Sequence, residues 1–288
     1  MTERPKLVII TPVRNEADYI GKTLSSVVAQ SLLPFRWLIV DDGSTDRTAA
    51  MVREYAQQHA FIRLLQRPDQ GAYRLGGGVV QAFNHGLAQL EEGYDYIAKL
   101  DGDLSFGPDT IARLLERFAA DKTLGIASGL CYLETNKGLV AERSDPRFPR
   151  GPFKCYSRDC FAKIGGLYEG LGWDALDVIR AQLAGFHTQA FADIQLIHLR
   201  PTGGRALVTH KRQVGRTAYR LGYNPLFFLL RCLYRSVHGS PAEGPAMLAG
   251  YLGACLTRKE RIVTQQEMAW LRRFQRAKLR RLVGGNKE

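Results

Sequence analysis

Over the first 130 residues, short apolar runs alternate with segments of helical spacing, and this pattern constrains the fold more than any other feature of the sequence. Lys6–Thr11 and Arg36–Asp41 are near-continuous apolar runs, the mark of strands covered on both faces. Phe61–Gln66, Tyr94–Leu100 and Leu124–Leu130 read as three more strands. Helices are expected between them, around Ile20, Leu24, Val27 and Val28, then over Thr45–Gln58, Val79–Leu90 and Pro108–Ala119, the last with Pro in its first turn. Strands separated by helices of about 10–15 residues imply βαβ units and a mainly parallel sheet.

Regularity breaks at Glu134–Phe153, which reads as a long loop over the sheet; loops of that length usually carry function. A helix is expected from about Asp174, and strand-like runs at Thr188–Ala192 and Ile194–Leu199. From about Thr209 the chain reads as helical, through Pro225–Tyr234, Pro245–Leu256 and Thr264–Val283.

Acidic residues close two of the parallel strands, where open α/β sheets bind ligands. Asp41-Asp42-Gly43-Ser44 ends the second strand, and Asp101-Gly102-Asp103 ends the fourth. Alternation puts Asp101 and Asp103 on one side, with Gly102 permitting close approach. Two carboxylates so placed suit Mg²⁺ or Mn²⁺ against a diphosphate, because hard cations take oxygen ligands.

Thr11-Pro12-Val13-Arg14-Asn15-Glu16 follows the first strand. With the two acidic motifs, the stretch Gly78-x-x-x-Ala82-x-Asn84-x-Gly86 and the run Trp173-Asp174-x-x-Asp177, it resembles a family 2 glycosyltransferase over residues 6–200. The resemblance implies a GT-A fold, Rossmann-like, with helices flanking the sheet, and inverting transfer from a nucleotide-sugar, UDP favoured. It also implies Thr11, Pro12, Val13 and Glu16 beside the nucleotide, Asp42 accepting a hydrogen bond from the base, and Asp101 with Gly102 near the ribose. Asp103 would be the principal metal ligand, with Asp101 and a late histidine, His198, near the same Mn²⁺ or Mg²⁺. Phe83 stands where the family often carries Arg, so Arg74 or Lys99 is expected to supply the charge at the phosphates. Ala175 replaces the second acid of the family's Glu-Asp pair, leaving Asp174, then Asp177, as the expected base. Trp173 is expected to stack on a sugar, and the loop bearing Arg143, Arg147, Arg150 and Lys154 to cover the acceptor. Arg200 and the Gly203-Gly204 turn are expected to close over the phosphates. Against these stand plainer readings: Asn15, Asp18, Ser44, Thr45 and Asp174 are all good helix caps.

Charge divides the chain further. Residues 1–198 carry 22 Lys/Arg against 24 Asp/Glu, and residues 199–288 carry 18 against 4. A near-neutral catalytic domain over 1–205 is therefore expected, its nucleotide half within 1–103 and its acceptor half within 104–205. A basic helical extension over 206–288 is expected to face an anionic partner, and its mix of apolar clusters with Arg272, Arg273, Arg276, Lys278, Arg280 and Arg281 suits a membrane surface, the alternative being helices that pack on the catalytic body or form a dimer interface. No uninterrupted apolar stretch reaches membrane-spanning length and the first apolar run is too short for a signal peptide. Five cysteines without a C-x-x-C fit a reduced, cytoplasmic protein, peripheral at most on the membrane. A lipid-linked or saccharide acceptor is expected. A nucleotidyltransferase would place a Gly-rich basic loop where Pro12-Val13-Arg14 stands. A nucleic-acid-binding protein, or a degenerate transferase binding through its tail, would leave the ordered carboxylates without a role.

Overall fold

The computed structural model describes residues 4–68, 77–135, 138–142, 145–200 and 207–283. Arg74, Arg143 and the Gly203-Gly204 turn lie outside them. The chain divides into two compact units, Met1–Pro201 and Thr202–Glu288.

In the first unit, β1 (Leu7–Val13), β2 (Arg36–Asp41), β3 (Ile62–Gln66) and β4 (Tyr96–Leu100) pair in parallel in the order β3-β2-β1-β4. The helices α1 (Ile20–Val28), α2 (Thr48–Gln58) and α3 (Gly77–Ala88) connect them. The two-residue period explains the continuous apolar runs. Leu7 and Ile9 of β1 and Trp37 and Ile39 of β2 pack against Leu24 and Val27 of α1 and Val52 of α2. Val8, Ile10, Leu38 and Val40 face the other way, against Val80 and Phe83 of α3. Both faces of the strands are thus buried.

The second half of the sheet is mixed. β5 (Leu104–Phe106) and α4 (Thr110–Ala120) lead into β6 (Leu124–Thr135), β7 (Gly138–Ala141) and β8 (Phe153–Ser157). After α5 (Arg158–Lys163) and α6 (Trp173–Leu183) comes β9 (His187–His198). β8 lies antiparallel between β4 and β6, β9 runs parallel to β6, and β5 forms the antiparallel edge on β9. The two runs expected at 188–192 and 194–199 form the single strand β9, which absorbs a register shift opposite Gly129/Leu130. The expected loop at 134–153 holds the end of β6, a hairpin to β7 and the start of β8.

Gly86 explains one part of the glycine-to-Asn stretch. A Cβ there would come 2.9 Å from both Ile10 Cγ2 and Val40 Cγ2, so α3 reaches the sheet only because this residue has no side chain. Gly86→Val is expected to cost about 2–3 kcal/mol by overpacking, lowering Tm by roughly 4–12 °C. Thermal unfolding followed by circular dichroism checks this, and an unchanged Tm would mean that the contact yields.

The second unit contains α7 (Leu207–Arg220), α8 (Pro225–His238), α9 (Glu243–Leu256) and α10 (Gln265–Val283). Asn224 Oδ1 caps α8 by accepting from the Phe227 N–H at 3.1 Å, with Pro225 in the first turn. Thr264 and Glu267 form a reciprocal capping box at the start of α10. Ala218, Phe228, Cys232, Met247 and Tyr251 form the core, where Phe228 stacks on Tyr251 at 4.7 Å between ring centroids. No helix among the described residues is long and apolar enough to cross a membrane. All five cysteines are free thiols.

Candidate active site

The site forms where the parallel strands β1, β2 and β4 end. The loops after β1 and β2 are stapled together. Asn15 adopts a left-handed backbone (φ 54°), and its Oδ1 accepts from the Thr45 N–H at 2.8 Å. In return, Ser44 Oγ accepts from the Asn15 N–H at 3.0 Å and Thr48 Oγ1 from the Glu16 N–H at 2.8 Å. Asn15, Ser44 and Thr45 therefore tie one loop to the other, and neither α1 nor α2 receives a side-chain cap at its N-cap residue.

Of the residues expected beside a nucleotide, Pro12 is half-buried near the end of β1, before this turn, and Glu16 sits 9% exposed in the site. The side chains of Thr11 and Val13 are turned into the interior. Thr11 is wholly buried, its Oγ1 accepting from Trp37 Nε1 at 2.8 Å, and Val13 packs in the core. Both shape the loop from beneath. Asp42 is ion-paired with Arg67 at 3.1 Å. Arg67 follows β3 and escaped the sequence reading, because its partner is remote in the chain.

At the end of β4, Gly102 permits a close approach. A Cβ would lie 3.0 Å from Val13 Cγ1 and 3.2 Å from Ile20 Cδ1, so the Asp101–Asp103 turn can sit down on β1 and α1. Asp101 is held by the Lys99 ammonium, which also donates to the Gly151 carbonyl at 2.9 Å. Lys99 is 2% exposed and so spends its charge on Asp101 and Gly151, which corrects the expectation that it serves a phosphate.

Asp103, 3% exposed, is the centre of a run of alternating charges. Its Oδ2 meets Arg200 Nε at 2.6 Å and His198 Nε2 at 3.4 Å. Arg200 Nη2 also donates to Glu16 Oε1 at 2.7 Å. On the other side, His198 Nδ1 lies 3.4 Å from Glu142 Oε2, which is also ion-paired with Arg150. Burial opposes charge on Asp103, His198 and Arg200, and their neighbours restore it. Burial disfavours the His198 imidazolium, but hydrogen bonds to Asp103 and Glu142 push its pKa up to about 9. Burial likewise disfavours the Asp103 carboxylate, but the His198 hydrogen bond and the Arg200 charge hold its pKa below the ordinary value. Glu16 is the exception: burial, only partly offset by Arg200, raises its pKa to about 7. Glu142 is the second residue missed by sequence reasoning, since nothing local marks it as the partner of His198.

Two carboxylate oxygens in this run, Asp103 Oδ1 and Glu16 Oε2, are buried without a hydrogen-bond partner. Buried polar atoms are rarely left so. After His198 and Arg200 have taken Oδ2, Asp103 still offers a hard oxygen ligand. Mg²⁺ and Mn²⁺ are commonly held by one or two carboxylates together with substrate phosphates, so the residues present fit such an ion. Among the described residues no group of three or more His, Cys, Asp or Glu is arranged to hold a metal alone. The fit is to a cation shared with a diphosphate.

On the acceptor side, Asp174 and Asp177 part company. Gly172, in a left-handed conformation (φ 97°), holds the N-cap position of α6, so Asp174 is no cap; it lies in the first turn with its side chain exposed. Asp177 is 2% exposed. Its carboxylate accepts from Lys154 Nζ at 2.9 and 3.1 Å, from Tyr156 Oη at 2.5 Å and from the Val178 N–H at 2.6 Å. It is fully engaged and faces inward, which corrects its reading as an alternative base. Trp173 is also inside, 8% exposed, with the Lys99 and Lys154 ammonium groups 5.4 and 5.3 Å from its ring. Its face is occupied by cations and not offered to a sugar. In the loop, Arg147 Nε pairs with Asp145 at 3.0 Å, while its carbonyl accepts from Thr188 Oγ1 at 2.6 Å. Arg150 belongs to the central run through Glu142.

Carboxylates gathered at the ends of a parallel half-sheet, beside an antiparallel-edged second half, are the architecture of GT-A glycosyltransferases. The profile of Glycosyl transferase family 2 matches residues 8–164, and the chain belongs to that family. Chondroitin synthase of Pasteurella multocida is 30% identical over 140 residues, 49% of this chain and 13% of that protein. Poly-beta-1,6-N-acetyl-D-glucosamine synthase of Staphylococcus aureus is 31% identical over 128 residues, 44% of this chain and 29% of that protein. The match thus spans well under half the length of either relative. Among solved structures, mannosyltransferase PcManGT of Pyrobaculum calidifontis, in complex with GDP-Man and Mn²⁺, aligns with a TM-score of 0.59 and 19% identity, over 97% of this chain and 81% of that one. Residues 1–349 of S. aureus TarS, in complex with UDP, align with a TM-score of 0.55 and 17% identity, over 88% of this chain and 72% of that one.

Proposed function

We propose that the chain transfers a sugar, with inversion, from a nucleoside diphosphate sugar to an acceptor hydroxyl in the assembly of a cell-envelope polysaccharide or glycolipid. The observation that carries this is Asp103, a buried carboxylate at the end of β4 with one oxygen unpartnered, in a chain of glycosyl transferase family 2. UDP is the favoured nucleotide, because Asp42 beside the stapled loops suits a uracil N–H; of the structural neighbours, one holds UDP and another GDP-mannose with Mn²⁺. The polysaccharide synthases among the relatives support the class of product.

Asp103, with Asp101 beside it, would hold Mn²⁺ or Mg²⁺, which when bound neutralises charge on the leaving diphosphate. His198, charged and engaged by Asp103 and Glu142 on both ring nitrogens, would position Asp103 instead of ligating the ion. Arg200, already paired with Asp103 and Glu16, brings a guanidinium to the same place and can turn to phosphate oxygens. Asp174 is the general base. Its exposed carboxylate takes the proton of the acceptor hydroxyl as that oxygen attacks the anomeric carbon from the face opposite the leaving group. Asp177, Lys154 and Tyr156 hold the start of α6, and with it Asp174, whose carbonyl accepts from Lys154 Nζ at 2.7 Å.

A thermal-shift panel of UDP, GDP, CDP and their sugars, each with Mn²⁺ or with EDTA, tests the reading. At a hundredfold excess over Kd, a ligand of the folded state adds about 2.7 kcal/mol, which shifts Tm by roughly 5–10 °C. One nucleotide should do so, and only with metal. No shift with any nucleotide would overturn the proposal.

A further inference from the structure

The helix α8 is apolar on two opposite faces, and among the described residues only one is covered. Phe228 and Cys232 point into the core of the second unit, against Met247 and Tyr251. On the other side Leu226, Leu229, Leu230, Leu233, Tyr234 and Val237 are 43–77% exposed. Their spacing of three, four, seven, eight and eleven residues from Leu226 places them on one stripe along the helix. Over 14 residues that stripe is about 21 Å long. Scattered exposed leucines need no explanation, but a continuous stripe of six large apolar side chains marks an interaction surface.

The charge of the unit that carries the stripe says what covers it. Residues 207–283 carry 15 Lys/Arg against 3 Asp/Glu. One of those three acids, Glu243, is already consumed by Lys211 at 2.8 Å and Arg235 at 2.7 Å. Arg231 on α8, Arg258 and Lys259 after α9, and Arg273, Arg276 and Arg280 on α10 are exposed. An apolar helix face within so one-sided a cationic unit complements a surface that is anionic outside and hydrocarbon within. Self-association would set this cationic unit against another of its kind.

We propose that the outer face of α8 is a docking surface for an anionic phospholipid bilayer, with the helix lying in the plane of the interface. The stripe enters the boundary between head groups and acyl chains, and the basic residues meet the lipid phosphates. This is independent of the donor and of the chemistry assigned to the first unit.

The test is sedimentation of the full chain with vesicles of phosphatidylcholine alone and with about one-third phosphatidylglycerol, at low and high salt. The chain should pellet with the anionic vesicles, much less with neutral ones, and less at high salt. Leu229→Gln with Leu233→Gln should weaken partitioning at least about tenfold with Tm unchanged, because both side chains are already exposed. Arg276→Gln with Arg280→Gln should weaken it and reduce its salt dependence. Nucleotide-induced thermal shifts, recorded on the same variants, should be unaltered and so keep this result separate from that of the donor assay. Absence of binding to anionic vesicles overturns the proposal. So does equal binding by the leucine variant, which would leave charge alone responsible. If the wild-type chain sediments as a dimer in lipid-free solution and the leucine variant as a monomer, the occupant is a second copy and the proposal fails.

Discussion

Asp174→Asn is expected to lower turnover about 10²–10⁴-fold, the usual contribution of a general base, with thermal stability close to wild type. Its side chain is exposed and caps no helix, so the amide disturbs no hydrogen bond that holds the fold. Asp177→Asn should do the opposite. Lys154 is fully buried, and removing the carboxylate strands its ammonium in the interior. Breaking one partner of a buried pair costs about 3–5 kcal/mol, a loss of Tm of roughly 6–20 °C. Measuring kcat per folded molecule beside denaturant unfolding separates the two. Turnover retained in Asp174→Asn would remove it as the base. Wild-type stability in Asp177→Asn would show that the buried cluster is not what holds α6.

Asp103→Ala is expected to eliminate the metal-dependent part of nucleotide binding. The variant loses the buried carboxylate at the end of β4 that keeps an unpartnered oxygen. Outer-shell partners of a metal typically cost 10–100-fold in affinity when removed, and loss of a ligand itself should exceed that, at least about a hundredfold in Mn²⁺ affinity. Titration of Mn²⁺ by electron paramagnetic resonance in the presence of nucleotide reads this without relying on turnover. Turnover should fall about 10³-fold if several kcal/mol of charge stabilisation are lost. Unchanged Mn²⁺ affinity would show that the cation is held elsewhere and that Asp103 serves only Arg200 and His198.

The features legible in the sequence were those with local period or local pattern. The runs of β1 and β2 announce themselves because both of their faces are buried, and the acidic motifs because each sits where a strand must end. β8 was hidden by Lys154, a charged residue in the middle of a buried five-residue strand. It is tolerated there only because Asp177 lies opposite it, which no local window reveals. The same reason concealed Arg67 and Glu142, whose partners Asp42 and His198 come from distant elements. Trp173 misled because side-chain direction at the start of α6 is set by Lys99 and Lys154, which arrive from β4 and β8. Composition distinguished the basic second unit from the first, but the inward and outward faces of α8 look alike in sequence.

The bonds between the loops after β1 and β2 bear on how this protein can be altered. Asn15, Ser44, Thr45, Glu16 and Thr48 bind the two loops through backbone as well as side chains. A graft that imports one loop from a relative with a different donor would leave the other without its counterpart. Residues 11–16 and 42–48 are therefore a single exchangeable cassette, and an exchange of either loop has to move both together.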